Sequence, residues 1–417
     1  MKKVYNFSVW LIASVLPVLG GGSSKLSRLI QGRSGVMDSL KAFRGSHPGR
    51  LAWFHVASLG EYEQAKPVIK TIKQRHPGCL VAVTFFSPSG FENVVNKPQA
   101  GVDFISYLPF DTSTNASKFL AIMKPELVFF VKYDLWANFI FEVKKRNIPL
   151  FLFSASMRED QIYFKSYGGF FKEIIQSFDW IFTQNQSTIS LLHGIGVRHS
   201  SLAGDTRYDN VEAIKSNPRH FPELDLIFAG KPTVVVGSAW QEDMDLIIPY
   251  IRKNDRFKFI IVPHDIDPVQ IEGWQQQIGK KSLKYSEINQ AGTEELEVLF
   301  IDNIGMLSSL YQYAHIAYVG GAFGRGLHNI LEPLAFRIPV LFGKVKKASK
   351  FPESAISRDY GCGFEVVDDL SFEAIMAGLQ QEEAYAKAVK AADLLVKDNL
   401  GSAEKIMNGV DKIVKWK

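Results

Sequence analysis

Short apolar runs, each followed by a few small or polar residues and then by an amphipathic stretch, recur from one end of the chain to the other. LAWFHV (51–56), Leu80 to Phe86, VDFISYLPFD (102–111), the apolar runs within 124–156 and WIFTQN (180–185) read as strands of the buried, parallel kind, which lack polar alternation because both faces are covered. After the first of them, Ser58 to Arg75 places Ala65, Val68, Ile69 and Ile72 on one helical face. The theme restarts with PTVVVGSAWQEDMDLIIPYI (232–251) and continues through Phe259 to Val262, LEVLFID (296–302), Ile316 to Val319 and Pro339 to Phe342. Strands alternating with helices predict βαβ units and parallel sheets. Two α/β domains follow, 35–214 and 232–396, joined by a charged, proline-containing linker from Lys215 to Lys231. Residues 397–417 close the chain as part of a charged amphipathic helix expected to cross back to the first domain.

The first 34 residues break the pattern. Lys2 and Lys3 precede a mostly apolar run, Val4 to Leu19, that is short for a full membrane span. A signal peptide fits less well, because Gly20 to Ser24 offers no A-x-A cleavage site. A core helix is one alternative. The favoured reading is a single N-terminal membrane-anchor helix, spanning or lying in the interface, followed by a basic juxtamembrane segment with Lys25, Arg28, Arg33, Lys41 and Arg44.

Composition narrows the class. Of 417 residues, 46% are hydrophobic and 22% charged, which excludes a disordered chain and a polytopic membrane protein. A net charge of +5, spread along the chain, gives no reason to invoke nucleic acid, though it suits an anionic surface or substrate. Cys79 and Cys362 stand in separate halves without CxxC or Cys/His clustering, so neither a disulfide framework nor a zinc site is indicated.

Candidate chemistry lies where strands run into small-residue loops. The stretch Ala317 to Gly343 reads as strand, glycine turn (Gly320, Gly321, Gly324, Gly326), a helix opening near His328 and Asn329, and a second strand. Glycines permit close backbone approach and a helix N-terminus favours an anion, so the loop suits a phosphate; Glu332, on the same side as Asn329, suits ribose hydroxyls. The plain alternative is a tight turn with Asn329 as a cap. In the first half Glu61 sits at a strand-to-helix junction behind Ser58 and Gly60, placed either for chemistry or as a first-turn acid favouring the helix dipole. Ser89 and Gly90 form a second such loop. Asp134, Trp136 and Asn138 follow a buried strand, Arg207 suits a carboxylate or phosphate, and Ser238 and His264 end strands of the second half.

The order of these segments resembles the 3-deoxy-D-manno-octulosonic acid (Kdo) transferases of lipopolysaccharide core biosynthesis. It rests on HVASLGEYEQAKP, TFFSPSG, YLPFD, DLWAN, GDTRYDN, GSAWQED, IIVPHD and YVGGAFGRGLHNILEPLAFRIPVLFG, taken together. The resemblance implies a GT-B architecture, two Rossmann-like doubly wound domains facing a cleft, and an inverting transfer of Kdo from CMP-Kdo to a lipid A precursor. It implies Glu61 as general base, Ser238, His264, Gly320, Gly321, Asn329 and Glu332 at the CMP-Kdo donor, and an acceptor cleft among Ser58, Gly60, Ser89, Gly90, Asp134, Trp136, Asn138 and Arg207. No cofactor and no metal are expected, and the implied place is the cytoplasmic face of a Gram-negative inner membrane, against its phospholipid. One departure stands out: Pro263-His264-Asp265 occupies a position where relatives often carry Pro-Arg-His, so the expected arginine contact to the donor is missing or replaced. A GT-B transferase for another nucleotide sugar and a non-catalytic sugar-nucleotide or lipid-binding protein are the competing readings.

Overall fold

A computed structural model describes residues 1–19, 25–288, 295–346 and 350–416. The apolar runs are strands, and they assemble into two all-parallel seven-stranded sheets. The first comprises β1 (Leu51–Val56), β2 (Leu80–Phe85), β3 (Phe104–Tyr107), β4 (Leu127–Val131), β5 (Leu150–Ala155), β6 (Trp180–Thr183) and β7 (Ser200–Leu202), in the order β3-β2-β1-β4-β5-β6-β7. Strand order reverses between β1 and β4, whose register pairs Ala52 with Leu127 and His55 with Phe130. The crevice beyond the carboxyl ends at such a reversal is where open α/β sheets hold ligands.

The second sheet comprises β8 (Thr233–Ala239), β9 (Lys258–Pro263), β10 (Ser282–Lys284), β11 (Val298–Phe300), β12 (Ile316–Val319), β13 (Val340–Gly343) and β14 (Gly363–Val366), ordered β10-β11-β9-β8-β12-β13-β14. Its reversal falls between β8 and β12. Each sheet carries one irregularity with a serine in the left-handed region, Ser154 (φ 53°) between β5 and β6 and Ser238 (φ 53°) between β8 and β9. A non-glycine residue held there is strained, and such strain gathers at functional sites.

Every residue of β1, β4 and β5 is buried, which explains the continuous apolar runs. One face of the first sheet packs Leu40, Phe119, Ile140 and Ile174 from its helices; the other packs Val68, Ile69 and Ile72 together with Ile406, Met407 and Val410. These last three belong to the helix Ser402–Ile413, so the chain end does return to the first unit. Gly409 permits this, since a Cβ there would lie 2.5 Å from the Phe182 ring. Arg75, at the end of the helix Leu59–Arg75, clasps the same helix through Glu404, Asn408 (2.8 Å) and Asp411.

The chain divides into Met1–Asn210 with Leu400–Lys417, and Val211–Asn399. The segment read as a linker from 215 to 231 instead lies inside the second unit and forms a helix, Pro222–Phe228, with Leu224, Ile227 and Phe228 buried.

The N-terminal reading needs correction. Residues Lys2–Leu19 are helical, and no helix among the described residues is long and apolar enough to cross a membrane. The helix lies on the first unit: Tyr5 donates to Asp111 Oδ2 (2.5 Å) and its ring meets Phe170 at 5.3 Å. Its outward side exposes Val4, Phe7, Trp10, Leu11 and Ile12. Some cations of the basic segment have partners within the protein. Arg33 donates to the carbonyls of Leu29, Phe86 and Leu108 amid the rings of Phe86, Tyr107 and Phe110, Arg28 pairs with Glu92, and Arg44 binds the carbonyls of His47 and Gly49. The Lys25 side chain lies outside the described residues.

Candidate functional site

Glu61 enters its site because Ser58 starts a helix. Ser58 is extended and its Oγ accepts from Glu61 N (3.4 Å), while Glu61 Oε2 accepts from Ala57 N (2.6 Å), so the carboxylate folds back over the end of β1. It is buried, at 7% exposure. Burial pushes its pKa up to about 7, the Ala57 N–H opposes this, and of the nearby charges Asp134 raises it and Lys132 lowers it. A cap alone gains nothing from such burial; a group that must take a proton near neutral pH does.

Asp134 and Lys132 come from the loop after β4, across the strand reversal, and Lys132 is held at φ 60°. Asp134 Oδ2 lies 3.1 Å from His55 Nε2, and Trp136 Nε1 donates to Asp134 at 2.9 Å and to His55 Nε2 at 3.0 Å. The other His55 nitrogen meets Thr84 Oγ1 at 3.1 Å. His55, inside β1, is not among the candidates read from sequence; its place one residue from the strand's end, just ahead of the Ser58 and Gly60 loop, was the available signal.

The remaining acceptor candidates separate. Gly90 lets the helix Pro88–Val95 close on the start of the Glu61 helix, since a Cβ there would sit 3.1 Å from Leu59 N and 3.2 Å from Ser58 C. Ser89 Oγ meets Ser87 Oγ at 2.8 Å, and a Cβ at Gly60 would meet only Ser58 Oγ, at 4.0 Å. Asn138 is buried and committed elsewhere: its Nδ2 donates to Asp111 O and its N–H to Asp111 Oδ2 (3.1 Å), so its side chain ties the helix Ala137–Lys145 to Asp111, whose carboxylate caps the first turn. Asp111 also accepts from Phe139 N and from Tyr5; burial raises its pKa to about 6 against those donors. Arg207 forks onto Asp205, with Nε at 2.9 Å and Nη2 at 2.7 Å from Oδ2, and this pair holds the half-buried Asp205 carboxyl below its ordinary value.

In the second unit the key group is Asp243, which accepts from Trp240 N (3.0 Å), Gly321 N (2.9 Å) and Tyr318 OH (2.8 Å) and is fully buried. It ties the end of β8 to the loop after β12. Gly320 fits only as glycine, because a Cβ would lie 2.4 Å from both Asp243 Oδ2 and the Ser238 carbonyl; Gly321 has φ 93° and a Cβ there would strike Gly326 O at 2.5 Å.

The loop differs from its reading in two respects. The helix begins at Leu331 and ends at Ala335, too short to offer an anion site at its start. All four glycine N–H groups already have acceptors: Gly320 N on Gly237 O (2.9 Å), Gly321 N on Asp243, and Gly324 N and Gly326 N on Gly321 O (3.2 and 2.8 Å). Asn329 Oδ1 accepts from Leu331 N (3.2 Å), the first residue of that short helix, and its Nδ2 donates to Glu332 Oε1 (3.1 Å), so the two side chains stand side by side. His264 stacks on Trp240, centroids 4.2 Å apart. Trp240 and His328, neither singled out from sequence as a ligand contact, complete this group. Among the described residues no cluster of three or more His, Cys, Asp or Glu could hold a metal ion.

The two sheets and their strand-end sites define an α/β protein of the GT-B kind. Solved structures share that fold: a UDP-N-acetylglucosamine 2-epimerase superposes with a TM-score of 0.60 at 12% identity, covering 87% of this chain and 95% of that one. MurG of Acinetobacter baumannii superposes with 0.57 at 11% identity, covering 88% and 100%. Residues 30–210 match the family model "3-Deoxy-D-manno-octulosonic-acid transferase (kdotransferase)". The 3-deoxy-D-manno-octulosonic acid transferase of Chlamydophila psittaci is 27% identical over 325 residues, covering 75% of this chain and 74% of that protein; that of Aquifex aeolicus is 26% identical over 345 residues, covering 80% and 85%. The resemblance to the Kdo transferases is therefore borne out, and with it the class of enzyme, a glycosyltransferase.

Proposed function

We propose that the protein transfers Kdo from CMP-Kdo to a hydroxyl of a lipid A precursor, with Glu61 as general base. The acceptor oxygen attacks the anomeric carbon of Kdo from the face opposite CMP, the bond to the phosphate oxygen breaks, and CMP leaves as the anion. Glu61 takes the hydroxyl proton, and the configuration inverts. The observation that carries this reading is the buried Glu61, with its pKa raised to about 7, at the reversal of a sheet within the family-matched segment. Asn329 and Glu332 are assigned to the nucleotide's ribose, and Asp134 to the acceptor side of the base. The test is to incubate the whole chain with CMP-Kdo and a defined lipid A precursor and weigh the products. A mass gain of one or more Kdo is expected; CMP-Kdo left intact while a UDP-sugar is consumed would replace this reading with that of another GT-B transferase.

The same reading places the protein on the cytoplasmic leaflet through the helix Lys2–Leu19 lying in the interface. Tyr5 faces Asp111 and Phe170, while Val4, Phe7 and Leu11, spaced as one helical stripe, and Trp10 are exposed, which suits an apolar face seated among acyl chains. The double substitution Phe7→Asp and Leu11→Asp is expected to abolish flotation with anionic phospholipid vesicles without changing the melting temperature; equal flotation would move the contact elsewhere on the surface.

A further inference from the structure

With every glycine N–H of the loop after β12 already bonded, the charge of a nucleotide-activated sugar acid has to be met there by something other than those amides. Within that loop stands one cation, Arg325. Its guanidinium lies 5.1 Å from the centroid of the Trp240 ring, and the residue is exposed. Among the described residues it has no ion pair and no side-chain hydrogen bond. Contact with an aromatic face engages the plane of a guanidinium and leaves the N–H groups along its edge directed outward, the fork that matches an oxyanion in bidentate fashion.

The surroundings hold the Trp240 ring in place. Trp240 follows β8 directly, and its backbone N–H is fixed by Asp243. The indole Nε1 donates to His328 Nε2 at 3.2 Å. An indole only donates, so that nitrogen carries no proton, and burial together with the neighbouring His264 pushes the His328 pKa down to about 4, keeping the ring neutral. His264 stacks against Trp240 at 4.2 Å and meets His328 at 4.6 Å. The arginine's own backbone lies in a turn closed by Gly326 N on Gly321 O. All of this sits beyond the carboxyl ends of β8, β9 and β12, at the strand reversal of the second sheet.

We infer that Arg325, seated on Trp240, is the anion receptor of the donor site and binds an oxyanion of the nucleotide-activated sugar acid, either its phosphate or its carboxylate. The inference deepens the proposed function and rests on it for the identity of the donor.

The test is calorimetric titration of the whole chain and of Arg325→Met and Arg325→Lys with CMP and with CMP-Kdo. Arg325→Met is expected to weaken CMP-Kdo by about 10- to 100-fold, the range for losing a charge-assisted hydrogen-bond pair, and Arg325→Lys by less. If CMP weakens equally, the phosphate is the oxyanion read; if CMP binding stays within about twofold, the carboxylate is. Unchanged binding of both ligands to Arg325→Met, with the melting temperature also unchanged, overturns the inference while leaving Kdo transfer standing. Wild-type protein that ignores both ligands but binds a UDP-sugar that Arg325→Met loses would instead overturn the Kdo reading and keep Arg325. Binding of no nucleotide at all overturns both.

Discussion

Replacing Glu61 by Gln is expected to lower the rate of transfer by about 10³-fold, within the range that a positioned general base contributes, while the protein stays folded and still binds its donor. The amide matches the carboxylate in size and can accept the Ala57 N–H, but it has no basic lone pair for the hydroxyl proton. Single-turnover rates with CMP-Kdo and the lipid acceptor check this, and an activity within about tenfold of wild type would remove Glu61 from the role of base.

The acid limb of the wild-type pH profile supplies a second reading of the same residue. Because burial raises the Glu61 pKa to about 7, kcat/KM should fall as pH drops below that value and the base becomes protonated. Asp134→Asn removes a charge that raises this pKa and should move the limb to lower pH; Lys132→Met removes a charge that lowers it and should move the limb higher. Stability runs the opposite way. A carboxyl raised from 4.5 to about 7 favours the folded state in its protonated form, so that contribution, about 3 kcal/mol, is complete below the unfolded value and is lost as pH rises through 7. Gln does not ionise. Glu61→Gln should thus be more stable than wild type at pH 8 and close to it at pH 4, an inactive variant with a firmer fold, which a merely capping acid would not yield.

How far the sequence disclosed these features depended on the distance over which each residue acts. The strands were legible because burial on both faces leaves continuous apolar runs, and β1 falls on Leu51–Val56 as read. Glu61 was legible because its cap partners, Ala57 and Ser58, are within four residues. Asn138 was misread because its partner, Asp111, is 27 residues upstream and no local pattern announces the bond. Arg33 looked like a surface cation, but three carbonyls from separate segments converge on it. The linker was misplaced because charge and proline dominate Lys215 to Lys231, while the few apolar residues that bury the helix Pro222–Phe228 carry the packing. At the glycine loop, composition pointed to exposed amides. Glycine's value there is close approach: without side chains the turn folds onto Asp243, Ser238 and itself, consuming the N–H groups that composition seemed to offer.

Asp243→Ala is expected to destabilise the second unit by about 3–5 kcal/mol, the range for breaking a buried polar network by removing one partner. From sequence Asp243 is only an early acid of the helix Gln241–Lys253, favourable to its dipole by well under that amount. In the fold it accepts from Trp240 N and Gly321 N on one oxygen and from Tyr318 OH on the other, the Gly321 bond reaching 78 residues along the chain. Alanine leaves all three donors buried without an acceptor. Burial raises the Asp243 pKa and those three donors work against it, so the carboxyl's benefit comes from the donors rather than from charge. Asparagine then separates shape from charge. Its Oδ1 can still accept from Trp240 N and Gly321 N, and its amide can donate to the Tyr318 oxygen if that hydroxyl turns, leaving one phenolic hydrogen unpaired. Asp243→Asn should accordingly cost only about 1 kcal/mol and keep donor affinity. Asp243→Ala should lose both stability and donor binding, because the glycine turn beneath Arg325 and the backbone of Trp240 are released together. Urea denaturation followed by tryptophan fluorescence, with CMP-Kdo titration at low denaturant, distinguishes the two; equal losses for Asn and Ala would mean that the charge itself, and not the acceptor geometry, secures the loop.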